Sequence, residues 1–193
     1  MIAFVNGDFV VKLPSQVVVD VNGVGYDLQI SLNTYSAIAN KDKGRLLTYL
    51  HITENGQTLY GFFEQQEKDL FMQLISVSGV GASTARMMLS GLKPDEIIRS
   101  IVNANTRQLE SIKGIGKKTA ERIVLELKDK LNRLQSQTNN PAQIVNTVES
   151  DALNALIALG IQKNIAETAI KKVLSYNSDS SVENIIKLAL KNL

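Results

Sequence analysis

Along the first third of the chain apolar residues alternate with polar ones; beyond it they recur at every third or fourth position. Val17 to Val21 and Tyr26 to Ser31 are β-branched or alternating stretches, separated by the turn signal Asn22-Gly23-Val24-Gly25. Leu46 to Thr53 alternates, which places Leu46, Thr48, Leu50 and Ile52 on one face. Asn55-Gly56 is the preferred two-residue loop of a type I′ hairpin, and predicts that Glu54 pairs with Gln57 and Ile52 with Leu59. About five or six short strands without a long helix predict a small closed β-barrel of the OB type over residues 1–64. A small β-domain used only for assembly is the alternative. His51 falls on the opposite face from Leu50 and Ile52, beside Tyr49 and Tyr60, and reads as a packing or surface histidine.

From Glu67 the period becomes helical, with Leu70, Phe71, Leu74 and Ile75 on one stripe. A second helix is predicted from about Ala82 to Ser90, with Gly91 as its C′ residue. Pro94 opens a third, carrying Ile97, Ile98, Ile101 and Val102, and Thr106 is the expected cap of a short helix running into Ile112. A long helix ending near Leu134 carries Ala120, Ile123, Val124, Leu127 and Leu131 on its apolar side. Arg122–Glu126 and Glu126–Lys130 form i,i+4 pairs on its wet side. Residues 135–147 are rich in Gln, Asn and Ser, contain Pro141 and carry no charge, which predicts a flexible linker. Residues 148–193 predict a three-helix (UBA-like) domain, with Gly160 ending the first helix and Ser180-Ser181-Val182-Glu183 capping the third. So small a core leaves apolar surface for a partner, and Leu156, Leu159 and Ile161 are the candidates.

Within the helical region one device occurs twice. Ser76-Val77-Ser78-Gly79-Val80-Gly81-Ala82-Ser83-Thr84-Ala85 aligns with Ser111-Ile112-Lys113-Gly114-Ile115-Gly116-Lys117-Lys118-Thr119-Ala120 at an offset of 35 residues. Each copy reads as a helix-hairpin-helix, and the pair as a tandem repeat over residues 65–134. Glycine lets the main chain turn sharply and come close to another surface. The amides that follow sit at a helix start, where unpaired N–H groups and the positive end of the helix dipole attract an anion. The candidate backbone-phosphate contacts are therefore Ser78, Gly79, Val80, Gly81, Ser83 and Thr84 in the first hairpin. In the second they are Lys113, Gly114, Ile115, Gly116, Lys117, Lys118, Thr119 and Arg122. Two such clamps grip a nucleic acid by shape rather than by base sequence.

Charge sharpens this picture. The net charge is only +2, but residues 1–64 hold 4 basic and 6 acidic groups, whereas residues 65–134 hold 12 basic and 8 acidic. The positive segment is the one with both glycine hairpins, as an electrostatic footprint requires. Zero cysteines exclude disulfides and thiolate–metal sites and fit a reducing, cytoplasmic setting; a single histidine excludes a histidine cluster for metal. No apolar run is long enough to span a bilayer, so no membrane partner is expected.

Barrel, paired Gly-Val-Gly and Gly-Ile-Gly hairpins, linker and three-helix tail together resemble the RuvA family over the whole chain. The resemblance is most specific at Leu59-Tyr60-Gly61-Phe62, at Gly114 to Arg122 and at Ala155-Leu156-Ile157-Ala158-Leu159-Gly160. It implies a non-catalytic subunit, without a cofactor, that binds four-way (Holliday) junction DNA as a homotetramer, or as an octamer on DNA, and holds the arms planar. It further implies a RuvB-type hexameric ATPase as partner of the C-terminal domain, through Leu156, Leu159 and Ile161, and a junction resolvase as another partner. Glu54 and Asn55 would form the family's acidic pin, which excludes linear duplex by repulsion. Two departures stand out: Asn55 replaces a second acid, weakening the central negative field, and Ser83 replaces a lysine, so the second hairpin should dominate affinity.

Two other classes compete. In helix-hairpin-helix glycosylases or lyases a Schiff-base lysine occupies the place of Lys118, but such enzymes need an aspartate beyond the following helix, and no acid occurs from Leu131 to Val148. Gly116-Lys117-Lys118 lacks the frame of a Walker loop, which argues against an ATPase. A pure protein adaptor would not require the basic bias of residues 65–134.

Overall fold

The computed structural model describes residues 1–54, 56–138, 147–176 and 181–191; the side chains of 133–138 and of 147 are outside that description. Two compact units result, residues 1–134 and 135–193.

The first unit begins with strands β1 (Phe4–Leu13), β2 (Gln16–Val21) and β3 (Val24–Gln29), helix α1 (Leu32–Ile38), and strands β4 (Lys43–Thr53) and β5 (Gly56–Phe62). The strands close into a barrel in the order β1-β2-β3-β5-β4, so no edge stays open to pair with another chain. All pairings are antiparallel except β3 with β5, where Leu28 lies opposite Leu59. Val5, Phe9, Val17, Val19, Leu28, Ile30, Ile38 and Leu46 fill the interior.

β1 was not apparent from the pattern because Asn6-Gly7-Asp8 looks like a turn. Closure explains it: a Cβ on Gly7 would lie 2.0 Å from the Asp20 carbonyl oxygen of β2, so only glycine fits there. The turn after β2 is confined to Asn22 and Gly23, both at positive φ, while Val24 and Gly25 already belong to β3. β3 ends at Gln29, and Ser31, expected at its end, caps α1 by accepting from the Thr34 amide.

The β4–β5 register also differs from expectation. Ile52 opposes Gln57, Leu50 opposes Leu59 and Thr53 opposes Gly56. A two-residue shift keeps every side chain on its face but changes its partner. The observed register opposes Leu47 to Phe62, Tyr49 to Tyr60 and Leu50 to Leu59, and those apolar pairs outweigh the turn preference of Asn-Gly.

Five helices follow: α2 (Gln65–Ile75), α3 (Ala82–Gly91), α4 (Pro94–Val102), α5 (Thr106–Glu110) and α6 (Lys117–Thr138). Their core runs without a break into the barrel, since Tyr60 and Phe62 of β5 pack on Phe71 of α2. Two expected caps are corrected. Gly91 is the last helical residue, followed by extended Leu92 and Lys93, because Pro94 disfavours a helical residue before it and α4 starts at once. Asn105 rather than Thr106 caps α5, accepting from the Gln108 amide. Val124 is only half-buried, whereas Ala120, Ile123, Leu127 and Leu131 are in the core.

α6 continues to Thr138, four residues into the segment read as a linker, and residues 139–146 of that segment lie outside the described residues. In the second unit α7 (Thr147–Ala158), α8 (Lys163–Tyr176) and α9 (Val182–Lys191) pack around Leu156, Ala166, Ile170 and Ile185. Gly160 has φ +89, the left-handed value of a helix terminator. Ser181 caps α9 by accepting from the Asn184 amide; Ser180, expected in that cap, lies outside the described residues.

Candidate nucleic-acid interface

Two loops, residues 76–81 between α2 and α3 and residues 111–116 between α5 and α6, are built alike bond for bond. In the first, the Val77 amide donates to Leu74 O at 3.1 Å and the Val80 amide to Val77 O at 3.0 Å. In the second, Ile112 donates to Leu109 O at 3.1 Å and Ile115 to Ile112 O at 3.0 Å. Ser76 and Ser111 hydroxyls each donate to a carbonyl three residues back, both at 2.7 Å. Gly79 and Gly114 share φ +90, a conformation that L side chains adopt only under strain.

Each loop is anchored by its aliphatic residues. Val77, Val80, Ile112 and Ile115 are buried, so the side chains of Val80 and Ile115 serve the core and only their backbone can reach a ligand. Ser78, Gly79, Gly81 and Ser83 are exposed, and Thr84 is half-buried. Lys113, Gly114, Gly116, Lys117, Lys118 and Arg122 are exposed, with Thr119 half-buried. Around Gly81 and Gly116 a Cβ would meet no atom within 4 Å. Nothing inside the protein fills the space beside those two positions.

The two hairpins touch each other's helices. Arg122 of α6 donates from Nη1 to the Ser78 carbonyl of the first loop at 3.1 Å. The sulfur of Met87, in α3, lies 3.7 Å from the place of a Cβ on Gly114 of the second loop. Met87 and Arg122 are themselves 35 residues apart, so the repeat carries this reciprocal contact. Sequence reasoning placed Arg122 with the second hairpin only; extending the 35-residue alignment past Ala120 is the signal that would have paired it with Met87.

A second group missed in the sequence joins the barrel to the hairpins. Glu67 in the first turn of α2 is buried and accepts hydrogen bonds from the hydroxyls of Ser31 and Thr34, which flank the start of α1. Thr34 Oγ1 also accepts from the Phe63 amide at 3.1 Å. Burial raises the Glu67 pKa; the Ser31 and Thr34 hydrogen bonds pull it down, and the Glu64 charge pushes it up again. Arg86 of α3 adds a further tie, donating to Ser15 O and Gln29 Oε1, each at 2.9 Å. Neither half of the group shows in a local pattern, because its partners are 29 to 71 residues apart in the chain.

At the far end of the β4–β5 hairpin Glu54 is exposed; Asn55 lies outside the described residues. Ile52 is 65% exposed, and His51 lies beside the rings of Tyr49 and Tyr60, at 6.1 and 6.3 Å. In the second unit Leu156 is fully buried, Ile161 is half-buried and Leu159 is 62% exposed. Among the described residues no group of His, Cys, Asp and Glu could hold a metal ion, and no helix is long and apolar enough to cross a membrane.

An OB-like closed barrel fused to a tandem helix-hairpin-helix, followed in the chain by a three-helix unit, defines a class of multidomain DNA-binding protein. Residues 1–61 match the RuvA N terminal domain, residues 71–129 the SAM-like helix-hairpin-helix tandem, and residues 147–193 the RuvA C-terminal domain. A protein of Flavobacterium psychrophilum named Holliday junction branch migration complex subunit RuvA is 45% identical over 193 residues, 100% of both chains. Proteins of the same name from Christiangramia forsetii and Cytophaga hutchinsonii are 43% and 41% identical, covering at least 99% of each chain. The chain belongs to the RuvA family.

Proposed function

We propose that this chain is the Holliday junction-binding subunit of a branch-migration complex, and that it holds the four arms of the junction flat as a homotetramer. The observation that supports it most directly is the pair of equivalent glycine loops, each exposed, each opening a helix, and each with unfilled space at its second glycine. A phosphate oxygen fits that space, takes hydrogen bonds from the bare amides, and meets Lys117 and Lys118 in the second hairpin. Such contacts position a duplex and carry no base information.

Glu54, raised on a two-stranded ribbon, acts by exclusion. In a four-fold assembly these carboxylates cluster at the crossover and repel phosphates, so that a junction with a central opening is accepted and a continuous duplex is not. Asn55 makes this field weaker than two acids would. The C-terminal unit recruits a RuvB-type hexameric ATPase that drives branch migration. Leu159, with its exposed neighbour Ile157 and with Ile165 of α8, offers the apolar contact surface, while Leu156 supports it from within.

Binding titrations with a synthetic four-way junction and a linear duplex of equal length test the reading. The junction should bind more tightly, with affinity for both falling as salt rises. Equal affinity for the two would overturn junction selectivity, and light scattering that shows a monomer on the junction would overturn the tetramer.

A further inference from the structure

The two hairpins are alike in backbone but unequal in charge. At the 35-residue offset, Lys117 and Lys118 of the second hairpin correspond to Ala82 and Ser83 of the first, which has no cation at its own helix start. The first loop nevertheless has a cation beside it. Arg122 Nη1 is 3.1 Å from Ser78 O and 3.9 Å from the place of a Cβ on Gly79, the bend of that loop. Arg122 is six residues past Gly116, about 9 Å along α6 from the second loop. Its Nε faces Glu126 at 3.9 Å, and the side chain is half exposed, so the guanidinium can meet a ligand.

We infer that Arg122 is the phosphate cation of the first hairpin, supplied by the helix of the second. Its bond to Ser78 O also couples the two loops, so that they present their amides as one unit. This rests on the proposed reading of the loops as phosphate clamps. A guanidinium suits the place because it can donate to a backbone carbonyl and still offer N–H groups to a phosphate, which one ammonium point charge does less well. The reciprocal position, Met87 beside Gly114, needs no charge because the second hairpin has its own lysines.

The test measures junction affinity of the full-length protein against salt for wild type, Arg122→Gln, Ser83→Lys, the double variant, and Lys117→Ala/Lys118→Ala. Gln removes the charge and, ending where Arg has its Nε, also gives up the Nη1 bond to Ser78 O. Arg122→Gln should lower the salt slope by about one, the signature of one lost phosphate contact. Ser83→Lys should restore that slope in the Arg122→Gln background and add less in wild type, because both cations address one phosphate. An unchanged slope in Arg122→Gln, or strictly additive effects of the two substitutions, would overturn the assignment. If the lysine variant also leaves the slope unchanged, the clamp reading itself fails, and the two failures are thereby told apart. A thermal melt of Arg122→Gln equal to wild type separates loss of charge from loss of fold.

Discussion

Thr34 donates its hydroxyl to Glu67 Oε2 at 2.6 Å, so the barrel's only helix among the described residues and the first hairpin helix share one buried carboxyl group. This contact ties the barrel, which carries the β4–β5 hairpin, to the helices that carry the glycine loops. Burial raises the Glu67 pKa above the ordinary 4.5, so the native state binds its proton more tightly than the unfolded chain does. This group's contribution is therefore fully present below 4.5 and is lost as pH climbs through the raised native value. Glu67→Gln should flatten that part of a stability–pH profile measured by denaturant titration. Glu67→Leu should cost about 1–3 kcal/mol for each hydroxyl left without its acceptor.

The glycines divide into two kinds. Gly79→Ala or Gly114→Ala forces a side chain to φ +90 and should cost roughly 1–2 kcal/mol of stability. Gly81→Ala has ordinary backbone angles and open space, so unfolding should stay within about 0.5 kcal/mol of wild type. Its methyl group nevertheless enters the space proposed for the phosphate, and junction affinity should fall at least about tenfold, the worth of one hydrogen bond to a charged group. Parallel melts and titrations check the contrast.

Lys117 and Lys118 are both exposed at the start of α6. Replacing both with Ala should weaken junction binding by on the order of tenfold or more and reduce the salt slope by about two. Ser83→Ala removes one neutral donor and should cost roughly two- to threefold. The opposite ranking in a salt-dependent binding series would refute the view that the second hairpin dominates affinity.

In the C-terminal unit Leu159 and Leu156 should behave differently. Leu159→Glu alters an exposed site, so stability should change by no more than about 0.5 kcal/mol while stimulation of the ATPase is lost and junction binding is kept. Leu156→Ala opens a cavity in the core of this small unit and should cost about 2–5 kcal/mol. Circular dichroism melts together with ATPase stimulation assays distinguish a contact residue from a core residue.

Much of this was legible in the residues. The switch from a period of two to a period near four marks where the barrel ends and the helices begin, because side-chain direction follows backbone type within a few residues. The repeat of Ser, Gly, Gly, Thr and Ala at an offset of 35 exposed both hairpins, since each bend needs its glycine at a set place. β1 stayed hidden because Gly7 serves a close approach to Asp20, a residue of another strand. The loop residues alone do not set the β4–β5 register, because Leu50 with Leu59 and Tyr49 with Tyr60 fix it from further along the ladder.

Local structure was thus settled along the chain: which segments turn, which open a helix after a glycine bend, and where positive charge collects. These depend on neighbours a few positions away. The fold alone decided that Arg122 stands at Ser78 and Gly79, that Glu67 lies between Ser31 and Thr34, and that Leu156 faces inward while Leu159 does not. Such pairings are won by packing and hydrogen-bond satisfaction between distant residues, and no short stretch of the chain contains both partners.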